Sequence, residues 1–349
     1  MSKTILVTGA SSFIAGWIIQ YLLEKGYNVR GTVRSATKEK QVLDGIAEEY
    51  RKQISFVHVA DITSDSFDEA VRDVDGIIHV ASPFHFKVTD PEKDLLLPAI
   101  NGTTRVLQAA HDFNQNNENK IKRVVITSSF AAVIDPSKSP RPGYVYTEKD
   151  WSPITYEQGV AAKDDPLTAY RASKVCAEQA AWNFIEQNKP AFTIATICEP
   201  MVFGPSVRDF QTVDDIHQSN ALIWSLVTSG KDAPIPDTRV PKQVDVRDVA
   251  FTHVAALEKM IDSNQRYLIA NDQNWTQQQI ADIVHQSSLV PQNIKQTTPI
   301  GSKDYQLPDF YTIDSSKAKQ ELGVTYTPFQ KTIEDLTIQF GKLQQTLKQ

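Results

Sequence analysis

Cysteine is scarce in this 349-residue chain: only Cys176 and Cys198 occur. Two isolated thiols make no disulfide framework, and neither stands at zinc-ligand spacing. No metal is therefore expected, and the setting reads as reducing. Long apolar runs are missing as well. No stretch approaches the roughly 20 residues that span a bilayer, and no signal-type apolar region precedes the first strand-like segment. Cationic excess is absent too, with 36 Lys and Arg against 42 Asp and Glu and a formal net charge of −6. That balance argues against nucleic acid or an anionic membrane as partner. Hydrophobic residues at 41% and charged residues at 22% describe an ordinary globular chain, long enough to bury a large core. The expectation is a soluble cytoplasmic protein with a small-molecule partner.

One more absence is local: no Asp or Glu lies between Glu24 and Glu39. The segment around it starts with Lys3 to Thr8, KTILVT, an apolar β-branched run without alternation, as in a strand buried on both faces. GASSFIAG at 9–16 follows, then an apolar helix pattern through Trp17, Ile18, Tyr21, Leu22 and Leu23 that closes at Gly26. Strand, small-residue turn and helix together present backbone N–H groups and a helix N-terminus to a phosphate. A second strand, Val29 to Val33, ends on Arg34. A site for NAD usually offers a carboxylate there to the ribose 2′-hydroxyl, whereas an arginine accommodates a 2′-phosphate. NADPH is the expected cofactor.

The alternation continues with a helix over about 37–52, strand Ile54–Ala60, helix Asp65–Arg72, strand Gly76–Ala81, helix Glu92–Asn114 and strand Arg123–Thr127. Strands interleaved with helices predict an α/β fold with a doubly wound parallel sheet of the Rossmann kind. Ligands in such sheets sit at the carboxyl ends of the strands. A long segment rich in Pro, Gly and Tyr from Asp135 to Asp165 interrupts the pattern, and loops of that length usually serve a site. Strand Phe192–Ile197 follows, then strand-like segments at Gln243–Val249 and Tyr267–Ala270 and helices near 276–287, 315–322 and 329–347. The reading is a cofactor domain over 1–200 with a return segment near 243–270, and a smaller, partly interleaved substrate lobe over 201–349.

Between those parts lies LTAYRASKVCAEQAA, residues 167–181, a helix pattern announced by Pro166. Tyr170 and Lys174 stand four apart and share a face. An ammonium beside a phenol favours the phenolate; bringing a tyrosine from about 10 to about 7 takes roughly 4 kcal/mol. Such a phenol passes protons near neutral pH. Tyr21 and Lys25 have the same spacing, so spacing alone does not choose between the pairs.

TGASSFIAG at 8–16, SSFAAV at 128–133, YRASK at 170–174 and VDVRDVA at 244–250 resemble, in order and spacing, the extended short-chain dehydrogenase/reductases. Within them the chain is similar to the dihydroflavonol-reductase-like branch, and to the methylglyoxal and carbonyl (ketone) reductases of yeasts through HVASPF at 79–84, DLLLPAINGT at 94–103, EQAAW at 178–182 and DSSKAKQELG at 314–323. The resemblance implies Ser129, Tyr170 and Lys174 as catalytic residues. Ser129 and Tyr170 would hydrogen-bond the substrate carbonyl, with Lys174 on the nicotinamide ribose. It implies Gly9, Ser12, Phe13 and Ile14 at the pyrophosphate, Arg34 and Lys38 at the 2′-phosphate, Asp61 and Ile62 beside adenine, Ala81 and Ser82 on the ribose side, and the turn at Pro200 near the nicotinamide. An apolar substrate pocket is expected from Phe84, Phe86, Phe130, Ile134, Met201, Phe203 and Trp224. The implied activity is NADPH-dependent reduction of aldehydes, ketones or ketoesters by a monomer or homodimer. A nucleotide-sugar epimerase or dehydratase would hold NAD instead, and a non-catalytic NADP(H) sensor would typically lose the Tyr/Lys pair. Two positions depart from the family: Ser12 replaces a usual glycine, and Glu199 replaces a common proline.

Overall fold

A computed structural model describes residues 2–82, 88–118, 120–259, 262–302, 304–307 and 309–348. Strands and helices alternate first as β1 (Thr4–Thr8), α1 (Phe13–Glu24), β2 (Asn28–Val33), α2 (Ala36–Leu43), β3 (Ile54–His58), α3 (Asp68–Val71) and β4 (Gly76–His79). Next come α4 (Leu97–Gln115), β5 (Arg123–Thr127), β6 (Val145–Tyr146), α5 (Tyr156–Ala161), α6 (Pro166–Asn188) and β7 (Thr193–Cys198). Beyond residue 200 lie β8 (Met201–Phe203), α7 (Gln218–Val227), β9 (Gln243–Asp245), α8 (Val246–Glu258), β10 (Gln265–Leu268), α9 (Gln277–Gln286), α10 (Gln292–Thr297), β11 (Thr312–Ile313), α11 (Ser316–Leu322) and α12 (Phe329–Thr346).

Seven strands form one parallel sheet in the order β3-β2-β1-β4-β5-β7-β10. The strand order reverses at β1, which pairs with β2 on one side and β4 on the other. This is the switch point where open α/β sheets bind ligands. Alternation within each strand supplies both faces. Ile5, Val7 and Val125 pack with Ile18, Ile19 and Leu22 of α1 and with Val249 and Val254 of α8. Leu6, Val124 and Ile126 turn the other way, onto Val106 and Ala110 of α4 and Ala181 and Phe184 of α6. A third core, from Phe203 through Phe340 and Leu343, is built from residues beyond 200. Two small parallel pairings, β8 with β9 and β6 with β11, lie outside the main sheet.

Several boundaries differ from the sequence expectations, each for a local reason. The helix expected over 37–52 ends at Leu43, and a 3-10 turn covers Glu48–Gln53 after Gly45. The strand expected over Gln243–Val249 lasts three residues. The Asp245 carboxylate then accepts the Arg247 N–H at 2.8 Å and caps α8, so capping overrides the β-branched composition. In the long segment 135–165, Thr155 and Gln158 cap α5 reciprocally, and Arg141 lies over the Tyr144 ring with 3.2 Å to its centroid. Helix α6 begins at Pro166 under an Asp165 cap and runs on to Asn188.

Candidate active site

The turn after β1 is shaped by Gly9, whose φ of +63° belongs to the left-handed region. A Cβ there would stand 3.0 Å from the Ala81 Cα, so glycine lets the β1 and β4 exits approach each other. Thr8 fastens the same junction: its hydroxyl oxygen accepts the Val80 and Ala81 N–H groups at 3.1 Å each and donates to His79 Nδ1 at 2.8 Å. Burial pushes His79 down to about 3, so the imidazole is neutral and free to accept. Ser12 caps α1 at φ −82°, ψ 162°, ordinary extended geometry, with its side chain exposed. Its backbone makes no demand for glycine.

A cleft of about 380 Å³ opens over this turn, lined by Ser11, Ser12, Phe13, Arg34 and Lys38. Arg34 is exposed and makes no ion pair among the described residues, leaving its guanidinium available to an anion. Lys38 donates to Gln41 Oε1 at 2.9 Å. The opposite wall comes from Ser206 to His217. The His217 ring stacks on Phe13 with centroids 5.1 Å apart, and Arg208 pairs with Asp215 at 2.6 Å. The sequence reading missed this wall, because nothing local in 206–217 signals a contact nearly two hundred residues away. Asp61 lies exposed past β3, where its carboxylate holds the Thr63 N–H and hydroxyl at 2.8 and 2.7 Å. Those bonds lower its carboxyl below the usual range. Ile62 is half-buried, with its side chain close to Gly102.

Ser129, Tyr170 and Lys174 converge at the carboxyl ends of β4, β5 and β7. Ser129 is 8% exposed; its Oγ accepts the Ala131 N–H at 3.1 Å, and its hydroxyl acts on the Tyr170 phenol. Lys174, one turn along α6, is buried and donates to Ser82 Oγ at 3.3 Å, with Nζ 5.9 Å from the Tyr170 ring centroid. The electrostatics differ from the sequence expectation. Burial raises the Tyr170 phenol above its ordinary range, Glu199 adds to the rise, and the Ser129 hydrogen bond opposes it. Burial also lowers Lys174. A desolvated phenolate beside a carboxyl is disfavoured more strongly than an ammonium at this distance can repair. In the protein alone, Tyr170 is therefore held in its acid form.

The third member of that helix face, at i+8, is Glu178, with a side chain 1% exposed. Its oxygens accept from Ser128 Oγ at 2.7 Å, Thr196 Oγ1 at 2.8 Å, and Arg266 Nε and Nη2 at 2.7 and 3.1 Å. One carboxylate thus bolts α6 to β5, β7 and β10 beside Ser129. Ser128, readable as turn chemistry from sequence, is a partner in this lock. Arg266 extends it to the Ala132 and Glu148 carbonyls and lies over Trp151, 3.8 Å from the ring centroid.

The expected pocket residues divide. Phe130, at 3% exposed, packs on Tyr146 and Tyr311 together with Ile134, and Phe203, at 0%, packs edge-on against Trp275. Those side chains are spent on core. Trp224 is half-buried against Phe340, and Met201 and Pro200 are half-buried at the β7–β8 turn. Phe84 and Phe86 lie outside the described residues. The rival pair separates: Tyr21 packs against the core by α8, and Lys25 pairs with Glu258 at 2.9 Å. Among the described residues no group of His, Cys, Asp or Glu is arranged to hold a metal, and no helix is long and apolar enough to cross a membrane.

The profile of the NAD dependent epimerase/dehydratase family matches residues 5–270. The chain belongs to that family. Among its curated relatives, the NADPH-dependent methylglyoxal reductase GRE2 of Saccharomyces cerevisiae is 33% identical, over 98% of this chain and 99% of its own. The ketoreductase azaE of Aspergillus niger is 36% identical over 96% of each. Among solved structures, yeast methylglyoxal/isovaleraldehyde reductase Gre2 complexed with NADPH superposes with a TM-score of 0.88 at 32% identity, covering 98% of this chain and 99% of that one. Gre2 of Candida albicans in complex with NADPH gives 0.85 at 35% identity over 98% and 99%. This family member is thus an extended short-chain dehydrogenase/reductase, an oxidoreductase. Its second departure from the family pattern, Glu199, is buried rather than turned to solvent.

Proposed function

We propose that this chain is an NADPH-dependent carbonyl reductase that converts aldehydes, ketones or ketoesters to alcohols, as a cytoplasmic monomer or homodimer. The observation that carries the reading is the convergence of three side chains, Ser129 acting on the Tyr170 phenol and Lys174 donating to Ser82 Oγ at 3.3 Å, beside the β4 exit that meets Gly9. Residues 1–200 with the return segment 243–270 act as the cofactor domain, and the remainder as the substrate lobe.

The residues fit the cofactor. Gly9 lets the turn after β1 pack against Ala81 ahead of the α1 N-terminus, where a diphosphate would sit, and Arg34, exposed and without an ion pair among the described residues, matches a 2′-phosphate. Lys38 adds a second cation to that cleft, Asp61 and Ile62 would hold the adenine, and Ser82 with Lys174 would hold the ribose. When bound, NADPH supplies the hydride. Charge then develops on the substrate oxygen. Ser129 and Tyr170 are preplaced donors to that oxygen, and the protonated phenol gives up its proton to complete the alcohol. Lys174 holds positive charge under the phenol as the tyrosinate forms. A phenol kept in its acid form suits the reductive direction, in which the proton leaves the enzyme.

Arg34→Ala is expected to weaken NADPH binding by roughly 10- to 150-fold, the worth of a charge-assisted contact, while NADH binding changes little. Fluorescence titration with both cofactors checks this, and an equal loss for both would remove Arg34 from the 2′-phosphate. The activity itself is tested by NADPH oxidation across a panel of carbonyl compounds. A protein purified with bound NAD and inert to every simple carbonyl would defeat the reading.

A further inference from the structure

The cleft wall at 206–217 is irregular apart from a 3-10 turn, Val213–Asp215, so side chains rather than a backbone ladder fix where it lies. From α1, Trp17 Nε1 donates to the Pro205 carbonyl at 2.8 Å, and a Cβ on Gly16 would meet Val207 at 3.5 Å. From the other side comes α12. Its Ile333, Leu336, Phe340 and Leu343 are buried in the third core. Thr332, Asp335, Gln339 and Lys342 are spaced three, four and three apart and so share a second, polar face. Thr332 donates to Asp245 at 2.7 Å and Asp335 accepts from Arg247 at 2.6 Å, which docks the first half of α12 on the β9–α8 junction. The second half reaches the wall. Gln339 Nε2 donates to the Ser206 carbonyl, Gln339 Oε1 accepts the Ser206 N–H, both at 2.8 Å, and Lys342 pairs with Asp209 at 2.8 Å. One side-chain amide thus meets both polar groups of the Ser206 backbone, where the wall begins to line the cleft.

We propose that Gln339 is a positioning residue for the cofactor: through Ser206 it holds the 206–217 wall over the Gly9 turn, and so sets how slowly NADPH leaves. The inference rests on the reading of that cleft as the NADPH site. Gln339 itself does not line the cleft, so it acts through the backbone it holds. Each of its two hydrogen bonds is worth a factor of roughly 2 to 12 in the equilibrium between a seated and a displaced wall. A cofactor covered by the wall departs when the wall is displaced, so a weaker anchor shows as faster release rather than slower capture. Lys342 and Asp209 are 58% and 45% exposed in their side chains, and water screens that second anchor. The amide carries the hold.

The test compares the native protein with Gln339→Ala, with Gln339→Met, which keeps an unbranched stem of similar length, and with Lys342→Ala. NADPH release is followed by stopped-flow fluorescence, Kd by titration, and the wall itself by amide hydrogen exchange without cofactor. In both Gln339 variants release is expected to quicken by about 10-fold, with Kd rising in step. Exchange within 206–217 quickens by a similar factor, while β1, β4 and β5 keep their native protection. Lys342→Ala changes release by no more than about threefold. Release and Kd within about twofold of native in both Gln339 variants overturn the inference, whether or not exchange moves. A loss in Lys342→Ala equal to that in Gln339→Ala overturns it as well. So does faster exchange across β1, β4 and β5, which would assign Gln339 to general stability. In each of those cases NADPH binding by the native protein leaves the reductase reading standing. A native protein that binds no NADPH defeats that reading, and the inference with it.

Discussion

Tyr170→Phe is expected to lower kcat/KM for carbonyl reduction by about 10³-fold, within the range a positioned proton donor contributes, while the NADPH dissociation constant stays within about twofold. The expectation comes from the geometry around one oxygen. The phenol feels Ser129, has Lys174 Nζ 5.9 Å from its ring centroid, and is kept protonated chiefly by burial. Phenylalanine preserves the ring, and with it the packing against Val88, Tyr156, Leu96 and Ala169, so the helix is not disturbed. What vanishes is the proton and one of two donors to the developing charge. Ser129→Ala removes the other donor and is expected to cost less, because the phenol still delivers the proton. Steady-state kinetics with cofactor binding measured separately distinguishes these effects. Full activity in Tyr170→Phe would sink the proposed mechanism.

Glu178→Ala carries the largest expected effect on stability. Removing the carboxylate strands the Arg266 guanidinium, 6% exposed in its side chain, and leaves the Ser128 and Thr196 hydroxyls without their acceptor. Breaking one side of a buried pair costs about 3–5 kcal/mol. With an unfolding entropy of about 2.1 cal/mol/K per residue over this length, that lowers Tm by roughly 4–7 °C. Differential scanning calorimetry checks the value. Activity is expected to fall as well, because the same carboxylate positions α6 against the strand that presents Ser129. Glu178→Gln keeps the shape but not the charge, and is expected to lie between the native protein and Glu178→Ala. A Tm within a degree of native in Glu178→Ala would mean that Arg266 finds other compensation.

The degree to which the site was legible varies with the range of the interaction involved. That Tyr170 and Lys174 share a helix face was legible because i,i+4 spacing is a local fact and α6 is helical throughout that stretch, whereas preferring them to Tyr21 and Lys25 took the resemblance of the YRASK run. Gly9 and Arg34 were legible because each ends a strand whose apolar run marks it as buried. Local composition misled where a single side chain redirected the backbone, as at Asp245, which turned an expected strand into the start of α8. Aromatic residues were the least informative. Phe130 and Phe203 have the composition of a pocket and the environment of a core, and only packing separates those states. Glu178 lay within the EQAAW run that carries part of the resemblance, yet its role needs partners on three strands.

The sequence by itself determined the doubly wound parallel sheet, the turn at Gly9, the arginine at the end of β2 and the Tyr170–Lys174 spacing, because strand burial, turn chemistry and helix periodicity are written within a few residues. Only the tertiary structure decided the rest. It brought Ser129 to Tyr170, closed the cleft over the Gly9 turn with residues 206–217, locked α6 through Glu178 and Arg266, and buried Glu199 with an oxygen unpaired. It also reversed the sign expected for the Tyr170 phenol, since desolvation and charge depend on what surrounds a group in space. Those surroundings are contributed by segments far apart in the chain, whose approach no local pattern encodes.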